Sequence, residues 1–227
     1  MQLVQGERLA IESSDLEGWI RRFEQYPAVE LIDLDAAKSE GSNALLIRQV
    51  TGRLPCRVGG GIRSVERARA LLRDGARKVI FGSALYSDTG PNLDVARVLA
   101  DGIGHERLIA AVDAKAGRVV VGGWRRTLPI APEDAIRQLE PYVGEFLYTN
   151  VDREGLMQGI DRAAVERVRR ATDKALAVAG GVTQAAEVQW LASLNIDAVV
   201  GMALYTGVLE ATPPAASPSN GGGEANR

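Results

Sequence analysis

The chain repeats itself. Val58-Gly59-Gly60-Gly61-Ile62, followed by Phe81-Gly82-Ser83-Ala84-Leu85-Tyr86, returns as Val178-Ala179-Gly180-Gly181-Val182, followed by Val200-Gly201-Met202-Ala203-Leu204-Tyr205. The offset is 120 residues for the first element (61 to 181) and 119 for the second (82 to 201). Two further echoes keep the same order: Val4-Gln5-Gly6 with Val121-Gly122-Gly123, and Leu31-Ile32-Asp33 with Leu147-Tyr148-Thr149. Chance can produce one glycine-rich echo. Four in order, at offsets of 116 to 120, predict two copies of one structural half.

The segments between the echoes say what that half is. Short apolar runs rich in β-branched and aliphatic residues lie at 29–35, 55–60, 78–83, 108–113, 146–152, 175–179 and 198–202. Runs apolar on both faces are the mark of parallel strands covered by helices. Helical periodicity falls between them. The first such helix reads from Ser14, its expected N-cap, to Gln25, with Leu16, Trp19, Ile20 and Phe23 on one face. The fold class predicted is an α/β (β/α)8 TIM barrel made of two similar half-barrels, and 227 residues is an ordinary length for it. Only seven strands are visible. The strand at 108–113 should have a partner about 117 residues earlier, before Met1, so the first strand of the barrel is expected to be missing. Residues 1–210 are assigned to this barrel and 211–227, rich in Pro, Ser, Gly and Ala, to a disordered tail.

Composition removes several functions. A net charge of −2 offers no general affinity for nucleic acid or an anionic membrane, so local geometry must hold any anionic ligand. One cysteine, Cys56, excludes an intrachain disulfide, and the single histidine, His105, leaves little scope for a histidine-based metal site or Ser–His chemistry. There is no run of membrane-spanning length and no signal-peptide pattern, so a cytoplasmic enzyme is expected.

Each glycine pair sits where a strand ends and a helix begins. Glycine lets the backbone approach a phosphate closely, and a helix N-terminus presents N–H groups with the positive end of a dipole. In barrels such sites lie after the last two strands. Gly180, Gly181, Gly201 and Met202 fit that place, and Gly60, Gly61, Gly82 and Ser83 fit its duplicate. A lone pair is equally compatible with a tight turn; two matched double sites predict a long ligand with a phosphate at each end. Asp113 closes the run Leu-Ile-Ala-Ala-Val, which places a carboxylate at the barrel mouth. Asp33 and Asp35, and Thr149 and Asp152, end their strands likewise, although Asp35 and Asp152 are equally suited to organising their loops. Residues 118–124 read as a short hairpin over the mouth, where Trp124 is placed to stack on a flat ring. Trp19, Trp190 and Cys56 read as packing residues, and His105 as exposed.

With these motifs placed, the chain resembles the phosphoribosylformimino-aminoimidazole-carboxamide ribotide isomerase (HisA) family of histidine biosynthesis, over about residues 1–210. The carriers are Leu3-Val4-Gln5-Gly6, Leu31-Ile32-Asp33-Leu34-Asp35-Ala36-Ala37, Val58-Gly59-Gly60-Gly61-Ile62-Arg63-Ser64, Val112-Asp113, Gly123-Trp124 and Tyr148-Thr149-Asn150-Val151-Asp152-Arg153-Glu154-Gly155. The resemblance implies an Amadori rearrangement of an aminoaldose to an aminoketose, without metal or organic cofactor. One acid opens the ribose ring, and one carboxylate moves the C2′ proton through an enolamine. Asp113 matches the family's acid and Thr149 its substrate-contacting threonine. Trp124 matches the residue that stacks on the ligand from a mobile loop, and the four glycine sites match two phosphate cradles. Asp33, Arg63 and Asp152 join the candidate substrate contacts. A monomer acting on a small molecule with two phosphates is expected, with no nucleic-acid or membrane partner.

The family's base is an aspartate on the first strand, the one the repeat places before Met1. A start codon assigned too far downstream is the preferred explanation, so the chain as given is expected to turn over weakly and to be repaired by upstream residues. Two alternatives stand beside the isomerase. One is the cyclase that closes the imidazole ring with a glutaminase partner; the other is a phosphate-binding barrel fragment without turnover.

Overall fold

The computed structural model describes residues 2–4 and 8–209, with residues 2–4 and 8–11 described by backbone alone. An N-terminal hairpin pairs β1 (Gln2–Val4) with β2 (Arg8–Ile11) in antiparallel fashion. Strands and helices then alternate: α1 (Leu16–Phe23), β3 (Val29–Ile32), α2 (Leu34–Lys38), α3 (Ala44–Thr51), β4 (Cys56–Gly59), α4 (Val65–Arg73), β5 (Lys78–Phe81) and α5 (Leu93–Ile103). β6 (Leu108–Lys115) runs into a hairpin made by β7 (Arg118–Val121) and β8 (Arg126–Thr127). The chain continues through α6 (Pro132–Leu139), β9 (Glu145–Asn150), α7 (Arg162–Arg169), β10 (Ala175–Ala179), α8 (Ala185–Ser193), β11 (Asp197–Ala198) and α9 (Met202–Tyr205).

Seven strands form one parallel sheet in the order β11-β10-β9-β6-β5-β4-β3. With helices alternating between the strands, this is the α/β TIM-barrel type of fold. The duplication fixes the equivalences: β3, β4 and β5 correspond to β9, β10 and β11. β6 lies between β5 and β9; its equivalent position lies between β11 and β3, the two ends of the described sheet. The strand expected before Met1 lies outside the described residues. The helical layer joins where these strands do not: Trp19 of α1 meets Tyr205 of α9 edge-on at 4.8 Å, and Arg22 Nη2 donates to the Leu204 carbonyl at 2.8 Å.

Side chains inside the sheet fall into layers, as barrel strands dictate. At the strand starts, buried Glu145 meets Arg57 at 2.7 Å and Lys78 at 2.6 Å, and Arg57 also reaches Asp197 at 2.8 Å. Burial pushes the neighbouring Glu30 carboxyl up to about 7, against the pull of Arg57. Ile80, Ile109, Ala111, Leu147 and Ala177 form an apolar layer above these charges. Asp113 and Thr149, ladder partners on β6 and β9, lie above that.

Several boundaries differ from the sequence reading. α1 is capped by Asp15, which accepts from Gly18 N at 2.9 Å, and not by Ser14. The run read as one strand at 29–35 breaks at Asp33, whose side chain caps the short helix α2 and so turns the chain early. Met202 begins α9 and does not end a strand. The 211–227 tail lies outside the described residues.

The glycine pairs are where neighbouring strand-to-helix turns pack within each half. Gly60 (φ +99°) and Gly180 (φ +92°) leave no room for a side chain: a Cβ would stand 2.3 Å from the Asp33 carbonyl oxygen in one half and 2.3 Å from that of Asn150 in the other. Gly117 (φ +72°) has the same sign of φ with nothing within 4 Å. Gly117→Ala should therefore cost about 1 kcal/mol, the left-handed penalty alone. Gly60→Ala and Gly180→Ala should each cost about 3 kcal/mol or more, by strain plus collision. Urea denaturation of the three variants checks this order, and equal losses would remove the packing argument.

Candidate active site

The mouth of the barrel is built around Asp113. It lies near the C-terminal end of β6, in register with Thr149 on β9. The hairpin that follows folds back so that the Trp124 indole Nε1 donates to Asp113 Oδ2 at 2.8 Å. Burial holds the Asp113 carboxyl above the usual carboxylate range, while hydrogen bonds from Trp124 and Thr149 pull the other way. An acid that keeps its proton to higher pH, at the C-terminal end of a barrel strand, suits proton donation. Tyr86 packs beneath, donating its hydroxyl to the Ala111 carbonyl at 3.0 Å.

The other strand-end carboxylates are turned into their own loops. Asp33 accepts from Ala36 N at 3.1 Å, Asn43 N at 3.0 Å and Asn43 Nδ2 at 2.9 Å. Burial pushes this carboxyl up, but those donors outweigh it and hold it below its ordinary value. The same Asn43 amide reaches Asp35 at 2.9 Å. Asp152 accepts from Ala116 N at 2.7 Å, tying the turn after β6 to the loop after β9. The ladder explains the contrast between Asp33 and Thr149. Ile32 pairs with Gly59, and Thr149 with Ala179, the residue 120 positions after Gly59. Thr149 is therefore equivalent to Ile32, and the sequence echo that aligned it with Asp33 is displaced by one residue, which in a strand means the opposite face.

The proposed phosphate contacts collect at the same end of the strands. Gly82 (φ −106°, ψ −111°) and Gly201 (φ −101°, ψ −99°) share one backbone conformation, each at the start of a single helical turn. A Cβ on Gly82 would meet nothing nearer than the Ala111 Cβ at 3.9 Å, so packing does not demand this glycine as it demands Gly60. Gly61 and Gly181 repeat the close approach, a Cβ falling 2.3 Å from the Ala36 oxygen and 2.4 Å from the Gly159 oxygen. Ser83 and Met202 follow their glycines directly. Arg63 is exposed and reaches Ser39 Oγ at 3.2 Å.

One organising residue escaped the sequence reading. Glu187 on α8 accepts from Ile160 N at 2.9 Å, Thr183 N at 2.8 Å, Thr183 Oγ1 at 3.0 Å and Gln184 N at 3.0 Å. Two N–H groups at the start of α8 therefore face a carboxylate of this chain. Gln184 and Glu187 form a capping box, a spacing readable from the sequence. Among the described residues, no group of three or more His, Cys, Asp and Glu side chains could hold a metal ion.

Fold and site together define an α/β barrel of the TIM type, duplicated internally, with the Asp113 carboxyl at its mouth. The chain belongs to the histidine biosynthesis protein family, whose model matches residues 2–210. Its relatives include three proteins named 1-(5-phosphoribosyl)-5-((5-phosphoribosylamino)methylideneamino) imidazole-4-carboxamide isomerase. That of Thermus thermophilus is 38% identical over 192 residues, 82% of this chain and 80% of the relative. That of Methanocaldococcus jannaschii is 34% identical over 185 residues, covering 80% and 76%. That of Methanothermobacter thermautotrophicus is 32% identical over 222 residues, covering 93% and 90%. None of the three bears the cyclase's name.

The raised Asp113 pKa fixes a sign. Stability gained from a carboxyl raised by burial is present below the unfolded pKa and is lost as pH rises through the folded one. Asp113→Asn removes that loss, so the variant should melt higher than the parent at neutral pH. The advantage should vanish as pH falls through the ordinary carboxylate range. Melting curves at several pH values check this, and an advantage independent of pH would contradict the assignment.

Proposed function

We propose that the protein is the aldose–ketose isomerase of histidine biosynthesis, acting on a phosphoribosyl-imidazole-carboxamide aminoaldose with a phosphate at each end. The observation that carries this reading is Asp113: a carboxyl whose pKa burial raises above the usual carboxylate range, at a strand end, beside Thr149 and beneath a tryptophan-bearing hairpin. Supporting it are the matched conformations of Gly82 and Gly201, one in each half, and the isomerase names of the relatives.

In this reading Asp113 donates its proton to the ribose ring oxygen as the bond from C1′ to that oxygen breaks. The open chain is left as an imine conjugate. Removal of the C2′ proton gives an enolamine, which tautomerises to the ketone. Thr149 contacts the substrate beside the acid, Trp124 stacks on it, and Asp33, Arg63 and Asp152 shape the mouth. Gly60, Gly61, Gly82 and Ser83 hold one phosphate, and Gly180, Gly181, Gly201 and Met202 the other. Asp33 and Asp152 are engaged by their loops, so the C2′ proton is assigned to the first-strand base that the family resemblance implies, outside the described residues. The protein works as a monomer in the cytoplasm; among the described residues no helix is long and apolar enough to cross a membrane.

Turnover of the aminoaldose, run beside a calorimetric titration with the same compound, tests the proposal. Asp113→Asn should lower kcat by roughly 10²–10⁴-fold, the usual worth of a positioned proton donor, with binding retained. Undiminished turnover in that variant would remove Asp113 from the mechanism. Tight binding with no turnover by the parent chain would favour a ligand-holding barrel over an enzyme.

A further inference from the structure

We infer that Ser83 is a positioning residue, whose hydroxyl couples the phosphate cradle of the first half to the hairpin that holds Asp113. The inference rests on reading Gly82 and Ser83 as part of that cradle. Ser83 opens the helical turn after β5 and is exposed. Its Oγ accepts the Gly122 N–H at 2.8 Å, a contact 39 residues away in sequence. A hydroxyl that accepts through a lone pair keeps its own proton to donate. Ser83 is therefore able to grip the hairpin with its oxygen while giving its proton to a phosphate oxygen. Donation to an anion polarises the hydroxyl and makes the oxygen a better acceptor. A phosphate in the cradle would tighten the hold on Gly122.

The hairpin needs such a hold. Gly122, Gly123 and Trp124 lie at φ +67°, +66° and +65°, three consecutive residues in the left-handed region. For Trp124 that conformation costs roughly 1–2 kcal/mol, and it persists only where surrounding contacts over-determine it. Three hydrogen bonds do so. Gly122 N is bound by Ser83, Arg125 Nε donates to the Gly122 carbonyl at 3.0 Å, and the Trp124 indole is bound by Asp113 at 2.8 Å. An ion pair between Arg126 and Asp88 fastens the far strand of the hairpin to the same segment after β5. Both its groups are well exposed, so it aligns weakly. The Ser83 contact is the one that joins the cradle residue to the turn carrying Trp124. The route runs from phosphate to Ser83, Gly122, Trp124 and Asp113. Through it, filling a phosphate subsite sets the hydrogen-bond partner of the acid. By linkage the coupling is reciprocal, so a closed hairpin tightens phosphate binding by the same factor.

Inorganic phosphate added to the nitrogen-15-labelled full chain tests this. The Gly82 amide shift reports binding, and hydrogen exchange at the Gly122 amide and the Trp124 indole reports the hairpin. The indoles of Trp19 and Trp190 serve as controls. Phosphate should slow exchange at Gly122 and Trp124 by roughly five- to tenfold in the parent. It should slow neither in Ser83→Ala, and Ser83→Thr, which keeps the hydroxyl, should restore the effect. Ser83→Ala should also weaken phosphate binding by more than that factor, because the direct bond to phosphate is lost with the coupling. Equal slowing in Ser83→Ala, or a Gly82 shift in the parent without any slowing, would overturn the coupling while leaving the cradle intact. An unmoved Gly82 amide in the parent would instead sink the cradle reading on which the coupling stands.

Discussion

At Gly60 and Gly180 the backbone of one strand-to-helix turn presses against the carbonyl of the neighbouring turn, with no space for even a methyl group. These approaches, one in each half, fix how β4 sits beside β3 and how β10 sits beside β9. Everything at the barrel mouth inherits its position from them. Asp33 and Asn150, whose carbonyls are approached, are the residues at which β3 and β9 give way to their loops. A duplicated chain thereby holds two equivalent rims.

The halves are alike in backbone and unlike in chemistry. β6 brings Asp113 to the mouth and continues into the hairpin that covers it, whereas the equivalent position lies at the two ends of the described sheet. The lumen below is sealed by apolar residues and, lower still, by Glu145 between Arg57 and Lys78. Asp113 therefore sits on a dry floor, with hydrogen-bond donors on two sides. Burial there raises its pKa above the usual carboxylate range, against the pull of those donors.

Much of this architecture was legible in the sequence because the repeat carries long-range information that local propensity lacks. The order of strands, the glycine turns, the hairpin and Asp113 all followed from spacing. What escaped depended on faces and on convergence. The echo of Leu31-Ile32-Asp33 in Leu147-Tyr148-Thr149 is one residue out of register with the ladder, and side-chain alternation turns that slip into the opposite face. The short helix α2 replaced a strand end because the Asp33 side chain bonds its own downstream backbone. The layer of Glu30, Arg57, Lys78, Glu145 and Asp197 draws one residue from each of five strands, and no local pattern announces it. The left-handed turn at Trp124 was hidden for a related reason: two glycines permit it, but the contacts that enforce it come from Ser83 and Asp113.

The central claim is that two matched cradles hold one ligand by its two phosphates. The most direct measurement is an equilibrium titration of the aminoaldose bisphosphate against the parent, Gly82→Asp and Gly201→Asp. A carboxylate set against a bound phosphate costs several kcal/mol. The account predicts that each substitution alone weakens binding by about a hundredfold or more while the protein remains folded. Parent-like affinity in either variant would mean that its cradle holds no phosphate, and the duplicated rim would then be a packing device alone.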